Sequence, residues 1–259
     1  MHFITKKYKE IIFNLKNKTN LDKKKLKFNN LKDLFNYFGT DKGSNLLNPY
    51  NHKKNLFIKG HDFGKFYEKN FKKILNKKIN VLEIGVWKGA STASFYYYLP
   101  KANFVAIDRN FKFKYSSKRI NFFFCDTTSN DNLKKLKNFF IKKKIKSFDL
   151  IIDDGSHILS DILKNFVFFF KFLKSKGIYI IEDYKHPNYF SHLNDKKKHF
   201  LIDKVLHFLK KKKLFKSSVL KQSEIKYLIN NVKKIITHKG SCIDKDGNNI
   251  SDIAFIHKK

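Results

Sequence analysis

Arginine is nearly absent from this 259-residue chain: of 56 basic residues only Arg109 and Arg119 are arginines. A surface selected to grip phosphates would use arginine's bidentate fork more often. Cysteine is equally sparse, and Cys125 and Cys242 can build neither a disulfide framework nor a metal site by spacing. Long apolar runs are missing as well; the VFFF stretch stops at Lys171, well short of a membrane span. The opening MHFITKKYKEIIF lacks the uninterrupted apolar core of a signal peptide. The expectation is a soluble cytoplasmic protein with no transmembrane segment.

Acidic residues are outnumbered, 22 against 56, for a formal charge of +34. Such a charge fits a polyanion partner, whether nucleic acid, acidic glycan or anionic membrane. It equally fits a coding bias, because Lys, Asn, Ile and Phe share A/T-rich codons and all are abundant. The charge alone therefore names no partner. A hydrophobic fraction of 42% with 29 Phe excludes global disorder and is enough for one substantial domain.

Three segments follow. Residues 1–38 read as Lys-rich helices, with Tyr8, Ile11, Ile12 and Leu15 on one apolar face and Leu31, Leu34, Phe35 and Phe38 on another. Packing against the domain is the commoner fate of such faces. Residues 39–79 hold a polar, Gly- and Asn-rich stretch, GTDKGSNLLNPYNHKKNLFIKGHDF, expected as a long active-site loop, and a helix leading into the core. Residues 80–259 alternate β-type runs (NVLEIGV, NFVAID, INFFFCD, FDLIIDD, GIYIIED) with helical runs (STASFYYYLP, DNLKKLKNFFIKKK, ILSDILKNFVFFFKFLKSK). That alternation predicts a parallel sheet with helices on both faces. After a helix at HFLIDKVLHFLKKKK, the runs VKKIITHKG and DIAFIHKK flank Asp246-Gly247 and predict a closing antiparallel hairpin.

Chemistry concentrates at the ends of the β-type runs, the edge where open α/β sheets bind ligands. VLEIGVWKGAST places Gly85 and Gly89 in a tight turn before a helix, with Glu83 suited to an ammonium group. Helix–strand packing explains those glycines equally well. Asp108 ends the second strand, where such folds hold ribose hydroxyls, and Asp126 and Thr127 end the third, where they can meet an adenine edge. The fourth run ends in Asp153-Asp154-Gly-Ser-His157. Side chains alternate along a strand, so one aspartate faces the crevice and the other turns away. Glu182 and Asp183 end the fifth run beside it. Carboxylates with little sulfur specify a hard cation, Mg²⁺. A serine-hydrolase reading fails, since Ser156 abuts His157 without a nucleophile elbow. Asp244–Asn249 imitates an EF-hand loop but has its glycine at the wrong position. Asn48-Pro49-Tyr50 echoes a motif of amino-group methyltransferases but precedes the first strand instead of following the fourth.

The three successive strand ends resemble class I S-adenosylmethionine-dependent methyltransferases. More narrowly, GTDKGS (39–44), HDFGKFYEKNF (61–71), LEIGVWKGAS, IIDDGSH and IIED, in that order, resemble the metal-dependent macrolide-sugar O-methyltransferases of the mycinamicin and macrocin type. The resemblance spans about residues 34–184. It implies a Rossmann-like, mostly parallel seven-stranded sheet with a C-terminal antiparallel hairpin. It also implies a cofactor site at Glu83, Gly85, Ser91, Asp108, Asp126 and Thr127, magnesium ligands at Asp154, Glu182 and Asp183, and His157 as general base. S-adenosylmethionine and Mg²⁺ are the implied cofactors, and a sugar or glycan hydroxyl the implied acceptor. The third strand departs from the family, reading CDTTSND where a Gly-Asp-Gln-Ser sequence is frequent. An RNA methyltransferase, or a binding module without activity, is the alternative; a homo-oligomer is left open.

Overall fold

The computed structural model describes residues 2–28, 30–47, 57–244 and 246–259. Seven strands build the central sheet: β1 (Asn80–Ile84), β2 (Asn103–Asp108), β3 (Ile120–Phe124), β4 (Phe148–Asp153), β5 (Leu173–Glu182), β6 (Val232–Lys239) and β7 (Asp252–Lys258). Their spatial order is β6-β7-β5-β4-β1-β2-β3, parallel from β5 to β3, with β7 antiparallel to both neighbours. The predicted hairpin therefore exists, with Asp246-Gly247 at the tip of a longer excursion; Gly247 has φ +80°.

Alternation along the strands sorts the core into two layers. Leu82, Ile84, Ile151, Tyr179 and Ile181 face helices α5 (Asn130–Lys142), α6 (Leu159–Phe170), α8 (Ile202–Lys210) and α9 (Gln222–Asn231). Val81, Leu150, Ile152 and Ile180 face α2 (Leu31–Phe38), α3 (Gly64–Phe71) and α4 (Ala90–Tyr98). Helices thus cover both faces, as predicted. No described helix is long and apolar enough to cross a membrane.

Four expectations change. First, α1 (His2–Leu15) leaves Tyr8, Ile11 and Leu15 exposed and instead buries Phe13, whose ring meets Phe111 and Phe122. One aromatic ring in an aromatic socket outweighed a stripe of smaller apolar groups. Second, the helix expected to run through Lys176 ends at Phe170, and Leu173 already pairs with Phe148 as the start of β5. Third, α7 (His186–Tyr189) and α9 are marked by no apolar periodicity that singles them out in the sequence.

The fourth change concerns the long loop. Asn45–Leu47 pairs antiparallel with Phe57–Lys59, and the stretch before this pair is zipped to the stretch after it. His61 N donates to the Asp41 carbonyl (2.7 Å) and Phe63 N to that of Lys42 (2.9 Å). The GTDKGS and HDFG motifs are therefore one folded unit. Asn48-Pro49-Tyr50 lies outside the described residues.

Candidate active site

The strand order brings β1, β4 and β5 side by side, with Ile84 opposite Asp153 and Asp153 opposite Ile181. Everything just beyond those residues collects at one edge. Alternation then separates the two aspartates. Asp153 points into the α6 layer, fully buried, where the Tyr179 hydroxyl donates to its Oδ2 at 2.9 Å. Burial pushes its carboxyl up to about 7. Asp154 enters the crevice.

A pH dependence follows from Asp153. In the unfolded chain the group ionises near its ordinary value of about 4, whereas in the fold it keeps its proton to about 7. Stability should therefore fall across that window by up to about 4 kcal/mol and level off above it. Asp153→Asn removes an ionisation that folding disfavours. Urea midpoints between pH 4 and 8 should stay flatter for the variant than for the native chain; parallel curves would show that Asp153 is not the group responsible.

Lys42 is the centre of the site. Its side chain is 1% exposed, and its ammonium contacts Asp154 Oδ2 in a short ion pair and Glu182 Oε2 at 2.9 Å. Burial alone would lower its pKa, but Asp154, Glu182, Asp41 and Glu83 together hold it well above the usual lysine value. Lys42 is charged. Burial would likewise raise Asp154, yet Lys42 and then His157 keep it below the ordinary carboxylate range. Glu182 accepts a hydrogen bond from the buried Tyr67 hydroxyl as well.

Asp183 is in the opposite state. Burial and then the carboxylates of Asp154 and Glu182 drive it well above the usual range. Its Oδ1 is buried and accepts no hydrogen bond among the described residues. His61 Nδ1 stands 3.3 Å away but is hydrogen-bonded to the Ser251 hydroxyl at 2.8 Å. His186 Nε2 lies 3.7 Å away, also buried and without a hydrogen-bond partner among the described residues. His157 Nε2 is 3.6 Å from Asp154 Oδ1, and its ring is 5.0 Å from that of His186. Burial lowers the pKa of His157, so it is neutral at neutral pH. His157 and Asp183 both have positive φ, 57° and 50°, a strained state that fixed surroundings must maintain.

A cleft of about 410 Å³ opens from this cluster along the strand ends. Gly85, Asp108, Asp126, Thr127, Asp154 and His157 all line it. Asp108 accepts from the amides of Trp87 and Asn110 (both 2.7 Å), which orient it and leave further lone pairs for a ligand. Asp126 Oδ1 accepts from the amide (3.0 Å) and hydroxyl (2.7 Å) of Thr128.

At the glycine turn the structure places Glu83 and Gly85 differently. Glu83 does not reach the cleft: it sits on the α4 face of β1, 1% exposed, with Ser91 and Thr92 donating to its two oxygens. It ties strand to helix. Gly85 lines the cleft, but its missing Cβ chiefly makes room for protein, since a Cβ there would lie 1.9 Å from the Asp154 carbonyl oxygen. Ser91 borders a second cavity of about 230 Å³ with Thr40, Asp41, Trp87 and Lys114. Ser156 caps locally, donating to Asp161 at 2.7 Å.

With this geometry, similarity to known proteins can be placed on the chain. Residues 82–184 match the family profile of a methyltransferase domain. The matched stretch is less than half of the chain. It contains the glycine turn, Asp108, Asp126, Asp154, His157, Glu182 and Asp183. By sequence the chain resembles the O-methyltransferases of the mycinamicin and macrocin type. Mycinamicin VI 2''-O-methyltransferase of Micromonospora griseorubida is 29% identical over 130 residues, 48% of this chain and 31% of that protein. Demethylmacrocin O-methyltransferase of Streptomyces fradiae is 28% identical over 48% of this chain and 32% of its own. The matched stretch thus spans about a third of the length of these curated relatives. In fold, the methyltransferase MycE of the mycinamycin pathway, solved with Mg, S-adenosylhomocysteine (SAH) and mycinamycin VI, superposes with TM-score 0.60 at 20% identity. That superposition covers 88% of this chain and 54% of MycE.

Lys42, His61, Tyr67 and His186 had no sequence-based role. Lys42, His61 and Tyr67 sit in motifs noted for their resemblance, but a buried ion pair across 112 positions leaves no local trace. His186 did carry a signal. Asp183-x-x-His186 repeats the Asp154-x-x-His157 spacing at the end of the adjacent strand.

Proposed function

We propose that this chain is an S-adenosylmethionine-dependent O-methyltransferase acting on a hydroxyl of a sugar or glycoside, assisted by a divalent cation, with His157 as general base. One observation carries the reading: His157 and Asp154 line the same cleft as Asp108, Asp126 and Thr127. A proton acceptor, one carboxylate of the buried cluster and the strand-end acids thus share one chamber.

The cleft's volume is in the range of small-molecule sites, and its carboxylates suit ribose and adenine edges. The buried, unbonded Oδ1 of Asp183 suits a cation, which would remove the penalty now holding that group protonated. When bound, S-adenosylmethionine supplies an electrophilic methyl group, and Mg²⁺ supplies Lewis acidity toward an acceptor oxygen. In this reading Asp108, Asp126 and Thr127 hold the nucleoside, and Gly85 and Ser91 border the methionyl end. Glu83 acts only through α4. Asp154, Glu182 and Asp183 hold the cation, with Lys42 offsetting the charge of the first two. His157, neutral and beside Asp154, accepts the hydroxyl proton on a ring nitrogen. Holding hydroxyl and methyl donor in line supplies much of the rate.

The acceptor class rests on the names of the relatives, which include an enzyme of Streptomyces olivaceus acting on a rhamnosyl tetracenomycin. The first test is calorimetry with S-adenosylmethionine, followed by transfer of labelled methyl to a panel of 6-deoxyhexosides, with and without EDTA. Binding plus chelator-sensitive transfer is the expected result. Absence of cofactor binding would sink the enzymatic reading altogether.

A further inference from the structure

Two adjacent parallel strands end in the same pattern, Asp154-x-x-His157 on β4 and Asp183-x-x-His186 on β5. The first pair is accounted for by the cleft. The second has no assigned histidine role. His157, Asp183 and His186 each bring one donor atom within 4.8 Å of the others.

His186 is prepared as a ligand in three respects. Its Nε2 is buried with no partner among the described residues, and so is Asp183 Oδ1 opposite it. The 3.7 Å between them is too long for a hydrogen bond. It falls within the roughly 3–4 Å that separates two donors on one ion with bonds of about 2.1 Å. The ring is also hydrogen-bonded to the Ile250 backbone; because Nε2 has no partner among the described residues, that bond falls to Nδ1 and Nε2 faces the cluster. Metal-bound histidines show this arrangement, their second nitrogen donating to a carbonyl or carboxylate.

We propose that His186 is a nitrogen ligand beside Asp183, so that the cation site takes a first-row transition ion of the Mn–Zn series in preference to Mg²⁺. The inference rests on the reading above that a cation binds at these strand ends. Mg²⁺ favours oxygen donors, whereas imidazole suits the later first-row ions. His157 stands at the same point, but as the base it must keep its lone pair for the proton. The ligand added to the carboxylates is therefore His186.

The test uses the full chain freed of metal and titrated with Co²⁺, followed by its visible absorption, alone and against Mg²⁺. Native protein should bind Co²⁺ more tightly than Mg²⁺. His186→Gln, which keeps a donor for the Ile250 carbonyl, should lose about tenfold or more in Co²⁺ affinity with little change for Mg²⁺. His157→Gln should retain the Co²⁺ preference. Thermal melts of both variants separate ligand loss from misfolding, and His186→Asn serves if the glutamine variant melts early. An unchanged Co²⁺ affinity in a folded His186 variant overturns the assignment while leaving a cation site in place. No binding of either ion by the native chain overturns the cation reading itself.

Discussion

Lys42→Met is expected to lower the unfolding free energy by about 3–5 kcal/mol, the usual cost of removing one partner from a buried ion cluster. The ammonium is almost wholly enclosed and contacts Asp154 and Glu182 at once, so its loss leaves two carboxylates facing each other without a counter-charge. Asp154 would shift toward the protonated form, joining Asp183 and Glu182, the latter pushed by burial up to about 8 already. A second outcome separates this from ordinary core damage. With the ammonium gone, a divalent cation is the natural replacement, and millimolar Mg²⁺ or Mn²⁺ should recover part of the lost stability. Denaturant titration of native and variant protein, with and without cation, measures both effects. A loss under about 1 kcal/mol would mean the pair behaves like an exposed salt bridge.

His157→Ala is expected to cut methyl transfer by about 10²- to 10⁴-fold, the range for removing a positioned general base, while leaving S-adenosylmethionine binding intact. The side chain is partly buried, 3.6 Å from Asp154, and held at positive φ, so its position is built into the turn between β4 and α6. Because burial lowers its pKa, the acid limb of kcat/KM should lie below the ordinary histidine value of about 6.5. A base with a lowered pKa stays unprotonated to lower pH, so activity should persist further into acid than for an exposed histidine. Asp154→Ala should be as damaging and should abolish the effect of EDTA, since it removes a cation ligand and the carboxylate beside His157. Unchanged turnover in both variants would end the general-base assignment.

The part of the site legible in the sequence is the part carried by local pattern. Strand ends announce themselves by an apolar run stopping at an acid, and that pattern marks Asp108, Asp126, Asp154, Glu182 and Asp183 as candidates. The split between Asp153 and Asp154 followed from strand alternation alone, and the structure sends them to opposite sides. The same alternation turns Glu83 toward α4, where Ser91 and Thr92 donate to its two oxygens, a placement the local motif does not specify. The exposed stripe on α1 misled because helical periodicity says which residues share a face, not which face finds a partner.

By itself, then, the sequence determined the alternating α/β architecture, the closing hairpin and the edge at which ligands collect, since periodicity and turn chemistry act over a few residues. Only the tertiary structure decided which charges meet. The pairing of Lys42 with Asp154 and Glu182 spans 112 and 140 positions. It depends on a loop folding onto the sheet edge, and on burial making a lone carboxylate there too costly. The same burial sets Asp183 Oδ1 and His186 Nε2 3.7 Å apart, neither with a hydrogen-bond partner among the described residues, a juxtaposition that the repeated spacing marks but does not reveal.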